Sequence, residues 1–266
     1  MALPKRYLSH PATVAEIIAQ LSTPNEASGA SYATVHDYCE SLDHLPQITG
    51  LNGDLKNVQR PWAVKALLRS VPPPARLLEI GGGEPVVSGI LNELGYDVTL
   101  IDPYDGLGNG PTEYAEYVED YPKVKIVRDY FGPHMRTFPP GSFGAIFSVS
   151  VLEHLSVEAA TQCFRAISDF LAPGGASIHC FDFVLQGLAQ EYDLATAHNI
   201  LSQQARLENR PVGTDFDDLL ERLKADVDTF FLSPQGYHRW RGDLPYDRFP
   251  FRKIVSLQTI AFSAKD

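Results

Sequence analysis

Apolar positions early in the chain recur with helical spacing. Val14, Ile17, Ile18 and Leu21 fall at i, i+3, i+4 and i+7, which is one face of a helix. Thr13 and Glu16 have the spacing of a capping box, so a helix is predicted over 13–21. Polar and small residues follow from Ser22 to Ser31. A second helical pattern runs through Val64, Leu67, Leu68 and Val71, with Pro61 suited to its first turn and Pro72-Pro73-Pro74 as its stop. From residue 75 the pattern changes to strands alternating with helices, the signature of a parallel sheet covered on both faces. Strands are predicted at 76–80, 97–101, 123–127, 143–149, 176–183, 227–232 and 254–262, with helices at 85–94 and 156–171. The run 143–149 is almost continuously apolar, as a strand at the sheet centre should be. The triple proline divides the chain into an N-terminal helical extension, 1–74, and an α/β domain, 75–266.

Composition narrows the classes of partner. The chain has 266 residues, 22 Lys and Arg against 33 Asp and Glu, and a formal net charge of −11. That balance disfavours nucleic acid and anionic membrane surfaces, both of which require a basic face. Hydrophobic residues make up 44% of the chain, enough for a sizeable core. The first residues, MALPKRYLSHP, are basic without an apolar run behind them, and no apolar stretch approaches the length of a membrane helix. A cytoplasmic location is expected. Cys39, Cys163 and Cys180 are odd in number and widely spaced, so they read as reduced and structural rather than as a disulfide framework or a zinc site.

The chemistry begins at Leu77-Leu78-Glu79-Ile80-Gly81-Gly82-Gly83-Glu84-Pro85, a strand running into a glycine turn, with Asp102 nineteen residues after Gly83 at the end of the next strand. Glycines let a backbone approach a ligand closely, and an acid at that strand end can accept from two ribose hydroxyls. A ligand with a ribose should lie across this crevice. A dinucleotide fingerprint would need glycine at Val86, and Glu84-Pro85 occupies the place where a diphosphate would need open amides.

Glu79-Ile80-Gly81-Gly82-Gly83, Asp102, Asp129, FGAIFSVSVLEHL at 143–155 and Leu171-Ala172-Pro173-Gly174-Gly175 resemble, in order and spacing, the successive motifs of class I S-adenosylmethionine-dependent methyltransferases of the small-molecule type. The resemblance covers about residues 75 to 183. It implies a Rossmann-like, seven-stranded, mostly parallel sheet with helices on both faces and an antiparallel last strand; the residue pattern adds the N-terminal helices and a long insertion at about 184–226, read as a cap over the site or as a plain crossover helix with extra length. It implies S-adenosyl-L-methionine as cofactor and S-adenosyl-L-homocysteine as product. Gly81, Gly82 and Gly83 would pass close to the methionine portion, Glu79 would orient the loop or the ammonium, and Asp102 would bind the ribose. Asp129 would accept from the adenine amino group, Tyr130 or Phe131 would flank the ring, and the backbone at Ser148 and Val149 would face the methionine amine.

His154 stands where many small-molecule methyltransferases reach the reacting centre, and an imidazole can take a proton from a hydroxyl or amine. Asp182, at the end of the fifth predicted strand, is a second candidate base. Some quinone methyltransferases carry E-x-x-E-H here and use a divalent metal, but Ser150 replaces the first acid, so no metal is expected. Substrate recognition must lie outside the shared core. Tyr237, His238, Arg239, Trp240 and Arg241 gather rings that stack on sugars or planar groups with arginines that recognise anions; they could equally cover a sheet edge and pair with surface acids. The expected partner is a small-molecule acceptor, most readily an oxygen of a sugar or secondary metabolite. Two other readings stand beside this one: a non-catalytic cofactor-binding partner subunit, and a nicotinamide enzyme, whose Tyr-x-x-x-Lys pair occurs at Tyr121 and Lys125 but off the required helix. The sequence names neither the acceptor nor the oligomeric state.

Overall fold

The computed structural model describes residues 5–8, 10–22, 27–51, 53–107, 110–188, 190–210 and 215–264. Parts of the opening segment, of the polar stretch 22–31 and of the 184–226 insertion lie outside the described residues. Seven strands form one sheet: β1 (Gly29–Tyr32), β2 (Arg76–Ile80), β3 (Asp97–Asp102), β4 (Lys125–Arg128), β5 (Phe143–Val149), β6 (Leu171–Gly187) and β7 (Phe251–Phe262), in the order β1-β7-β6-β5-β2-β3-β4. β4, β3, β2, β5 and β6 pair in parallel, while β7 runs antiparallel to β6 and β1 antiparallel to β7. The sheet is therefore Rossmann-like, mostly parallel, with an antiparallel last strand.

Alternation along each strand sends neighbours to opposite faces. Leu77, Val98, Ala145 and Phe147 join one core with α1 (Pro11–Leu21), α4 (Lys56–Ser70) and α5 (Val86–Glu93), while Leu78, Ile101 and Ile146 join another. That second core is closed by α7 (Val157–Phe170), α8 (Gln190–Leu207) and α9 (Asp215–Ala225). The remaining helices are α2 (Val35–His44), α3 (Pro46–Thr49), α6 (Tyr114–Asp120) and α10 (Pro234–Arg241).

The strand count agrees with the sequence reading, but one strand is a different segment. Residues 227–232 make only isolated bridges, Thr34 with Thr229 and Phe231 with Val255. Asp226 Oδ1 accepts from the Asp228 N–H at 2.8 Å, closing a side-chain turn around a fully exposed Val227. The edge is taken instead by β1, whose Gly29 to Tyr32 pair with Ile260 to Leu257. The division at the triple proline is also corrected: α1 and α4 share a core with β2 and α5, and β1 enters the sheet, so residues before 75 belong to the same packed body. The insertion read as a cap folds as α8 and α9. α8 lies on β6, β7 and α7, α9 lies on β1, and α8 also touches the turn at Leu152–His154. Phe216, Leu219, Leu220 and Leu223 spend their helical face on the sheet core.

Candidate functional site

The C-terminal ends of β2 and β3 build the first part of the site. Gly81 (φ +63°) and Gly83 (φ +56°) adopt left-handed backbone, which glycine enters without steric cost. A Cβ on Gly82 would lie 2.6 Å from Glu79 Cδ and from Leu100 Cδ1, so the loop fits over its strand only without side chains. The Gly81 N–H donates to Ile101 O at 2.7 Å, extending the β2–β3 pairing into the turn. Glu79 lies buried under the loop and accepts from the Ser88 hydroxyl; burial raises its pKa to about 7.

Asp102 joins the two loops. Its Oδ2 accepts from the Gly83 N–H at 3.1 Å and its Oδ1 from the Tyr104 N–H at 2.9 Å, while the Tyr104 hydroxyl donates to Gly83 O at 2.8 Å. Each carboxylate oxygen keeps a lone pair. Burial raises the Asp102 pKa, and the two amide bonds work against that rise. Tyr104, absent from the sequence reading, is buried at φ +49° and packs on Tyr114 and Tyr117. Arg128 donates to the carbonyls of Pro103 and Tyr104. The register Asp102↔Arg128 puts Asp129 one residue farther along the neighbouring strand, exposed and 3.6 Å from His134 Nε2. Tyr130 is exposed, and its hydroxyl donates to Asp105, linking the ends of β3 and β4.

The second part lies at the end of β5 and on the stretch of β6 that runs past it. Ser148 and Val149 remain in the ladder, opposite His179 and Cys180, and the Ser148 hydroxyl pairs with His179 Nδ1 at 2.7 Å inside the sheet. Their side chains face the interior; the chain leaves the ladder at Ser150, which takes φ +54°. A Cβ on Gly81 would meet Val151 Cγ2 at 2.8 Å, so the two parts of the site touch. In the following turn the adjacent residues Glu153 and His154 take opposite directions. His154 is exposed. Glu153 turns inward, its Oε1 accepting from the Asp182 N–H at 2.9 Å. Asp182 Oδ1 accepts from Gln59 Nε2 at 2.8 Å and lies 3.2 Å from the Ser150 hydroxyl, which also lies 2.8 Å from Gln59 Oε1. Burial raises the pKa of both Glu153 and Asp182, and the Asp182 charge raises that of Glu153 further. Sequence reasoning found Asp182 but missed Glu153 and Gln59. The signal for Glu153 was its place beside His154; Gln59, on α4, carried none.

The aromatic and arginine segment forms α10. Ser233 caps it, accepting from the Gly236 N–H and donating to Gly53 O at 2.7 Å. Tyr237 donates to Arg252 O at 2.6 Å and meets Phe249 edge-on; Trp240 meets Phe251 edge-on. Arg239 lies 3.6 Å from Asp54. His238 and Trp240 are exposed and Arg241 is half-buried. The rings therefore cover the start of β7, while Arg239 docks the helix onto the segment that leads into α4.

Residues 55–261, more than three quarters of the chain, match the family described as a methyltransferase domain. Two uncharacterized proteins of Mycobacterium tuberculosis are 30% identical to this chain over 122 residues, 45% of its length. The match spans 39% of the length of those curated relatives. Among solved structures, a Burkholderia thailandensis 1,6-didemethyltoxoflavin-N1-methyltransferase with bound 1,6-didemethyltoxoflavin and S-adenosylhomocysteine is 18% identical, covering 91% of this chain and 94% of that one with a TM-score of 0.46.

Proposed function

The chain belongs to the methyltransferase-domain family, and from that premise we propose that it moves a methyl group from S-adenosylmethionine to a small-molecule acceptor, with an oxygen of a sugar or secondary metabolite as the receiving atom. The observation that carries this reading is the junction at Asp102. One buried carboxylate holds the glycine turn and the β3 loop together through the Gly83 and Tyr104 amides and retains acceptor capacity on both oxygens, as a seat for a ribose requires.

The cofactor supplies an electrophilic sulfonium methyl when bound. Gly81 to Gly83 would lie along its methionine portion, Asp102 under its ribose, and Asp129 with Tyr130 beside its adenine. Displacement at a methyl carbon is governed mainly by alignment, so the residues of this chain act by holding the acceptor and receiving its proton. His154 at the rim and Asp182 in the wall are the two groups proposed for the proton. α10 is the element proposed to meet the acceptor, with exposed Trp240 and Arg239 offering a stacking face and a cation. The same chemistry explains why Glu84, bound to Lys5 Nζ at 2.6 Å, suits this loop: no diphosphate has to pass it.

The direct test is isothermal titration with S-adenosylhomocysteine and, separately, NAD. Binding of the first without comparable binding of the second is expected; tight NAD binding with no response to the homocysteine product would refute the reading. Methyl-labelled cofactor with a panel of sugars, phenols and polyketides, read by mass spectrometry, then identifies the acceptor.

A further inference from the structure

Glu153, just after β5, and Asp182, within β6, are joined by a hydrogen bond from the Asp182 amide to the Glu153 carboxyl, and the surrounding residues satisfy the two carboxyls unequally. Asp182 has Gln59 and Ser150 on Oδ1. Glu153 is half-buried as a residue, and its Oε1 holds the Asp182 amide, but its Oε2 is out of water and has no hydrogen-bond partner among the described residues. A buried acceptor left unpaired carries its desolvation cost without return, so a group in this position normally has a use. The bond from the Asp182 amide to Oε1 sets the two acids beside each other, and two buried carboxyls so placed cannot both ionise without a large cost.

We propose that Glu153 and Asp182 form one acid pair holding a single proton, and that this pair takes the proton of a hydroxyl acceptor that arrives uncharged rather than as a carboxylate or phosphate. The inference rests on the methyl-transfer reading above and gives that site its proton acceptor and a limit on its substrate. Transfer forms the bond between acceptor oxygen and methyl carbon and breaks the carbon–sulfur bond of the sulfonium. The proton on the acceptor oxygen passes to the ionised member of the pair, leaving both carboxyls neutral until solvent removes it. An anionic acceptor group would meet one charge of its own sign in a dry wall, which excludes it.

The surroundings tune the pair without discharging it. Lys56 from α4 draws both carboxyls toward ionisation and His154 does the same for Asp182; the Cys180 thiol, on β6, is pushed up by burial first and then by both acids. Burial outweighs these influences. Gln59 is a positioning residue, because its amide favours the ionised form of Asp182 and so decides which member of the pair keeps the proton.

The test uses the full chain with labelled side-chain carboxyl carbons, followed by NMR against pH. In the parent protein the pair should titrate in two linked steps, the second well above the ordinary carboxylate range. Glu153→Gln should lower the titration of Asp182, Asp182→Asn should lower that of Glu153, and Gln59→Leu should raise that of Asp182. Both acid substitutions nearly conserve shape, so either can report if the other fails to fold. Glu153→Gln should keep its affinity for S-adenosylhomocysteine within about twofold of the parent. Independent titration of the two groups in the ordinary range would overturn the pairing. A loss of about tenfold or more in S-adenosylhomocysteine affinity on Glu153→Gln would instead assign the carboxyl to the cofactor pocket and overturn the proton-accepting role. If the parent protein fails to bind S-adenosylhomocysteine while the linked titration is present, the methyl-transfer reading falls and the pair survives it.

Discussion

Replacing Asp102 by alanine tests the site at its most connected point. The carboxylate accepts from the amides of Gly83 and Tyr104 at 3.1 and 2.9 Å in a buried position. Each amide left unpaired costs about 1–3 kcal/mol, while removing a carboxylate whose own pKa is raised by burial returns part of that. The net expectation is a stability loss of about 2–4 kcal/mol. Affinity for S-adenosylhomocysteine should fall as well, by about 1.5–3 kcal/mol for each charged hydrogen bond to the ribose that is lost. Asp102→Asn separates the terms, because it keeps one acceptor oxygen but turns an NH2 toward one of the two amides; its stability loss should be about half that of the alanine variant. Urea denaturation gives the first quantity and calorimetry the second. Lower stability with unchanged affinity would leave Asp102 as a loop fastener and remove it from the ligand. Parental stability and parental affinity in both variants would refute the reasoning altogether.

Glu79 is held near pKa 7 by burial, against 4.5 for a free carboxyl. The folded state thus keeps its proton where the unfolded chain has lost it, and stability should decline as pH rises through the window from about 4.5 to 7, on the order of 3 kcal/mol in total. Glu79→Gln should flatten that slope in denaturation curves taken across pH, and an equal slope in both proteins would exclude Glu79 as its source. Gly82→Ala would place a Cβ 2.6 Å from Glu79 Cδ and Leu100 Cδ1; a loss of about 1–3 kcal/mol is expected, together with weaker S-adenosylhomocysteine binding, and a variant with parental melting and affinity would contradict the geometry of the turn. Truncating Trp240 or Arg239 should chiefly raise the acceptor KM with little change in kcat, since such contacts hold ground state and transition state alike; a kcat defect at unchanged KM would place these side chains nearer the chemistry.

The sheet was legible wherever burial on both faces forced an unambiguous apolar run. Phe143–Val149 was read with both ends correct, because the central strand tolerates no polar break that shows. The edge was not legible. Gly29-Ala30-Ser31-Tyr32 carries no strand pattern, and its pairing with β7 is decided by what β7 leaves open. Residues 227–232 look like a better strand but begin in a turn that Asp226 closes with its side chain. The start of α4 was placed too late because Pro61 reads as a first-turn residue; Asp54 Oδ1 accepting from the Lys56 N–H at 2.9 Å starts the helix earlier, with Pro61 inside it. In the site, the glycine turn and Asp102 were visible as motif. Glu153 and His154 occupy adjacent positions, and only the path of a three-residue turn decides which faces inward.

What the sequence divided, the structure joins. Lys5 reaches Glu84 beside the glycine turn, Asp54 holds Arg239 of α10, and Gln59 holds Asp182. Three of the candidate clusters are thus touched by a residue from the segment before the triple proline, and the contacts of Asp54 and Gln59 are made from the lead-in to α4 and from α4 itself, which lies against β5, β6 and α5. Helix α4 is buried along nearly its whole length, so its position is fixed by packing. Its two polar contacts, at its first turns and just before them, are made from a rigid support rather than a mobile flap. A proton-sharing pair needs such a support: the Gln59 amide can bias Asp182 only while it stays within hydrogen-bond reach, and the core beneath α4 is what keeps it there.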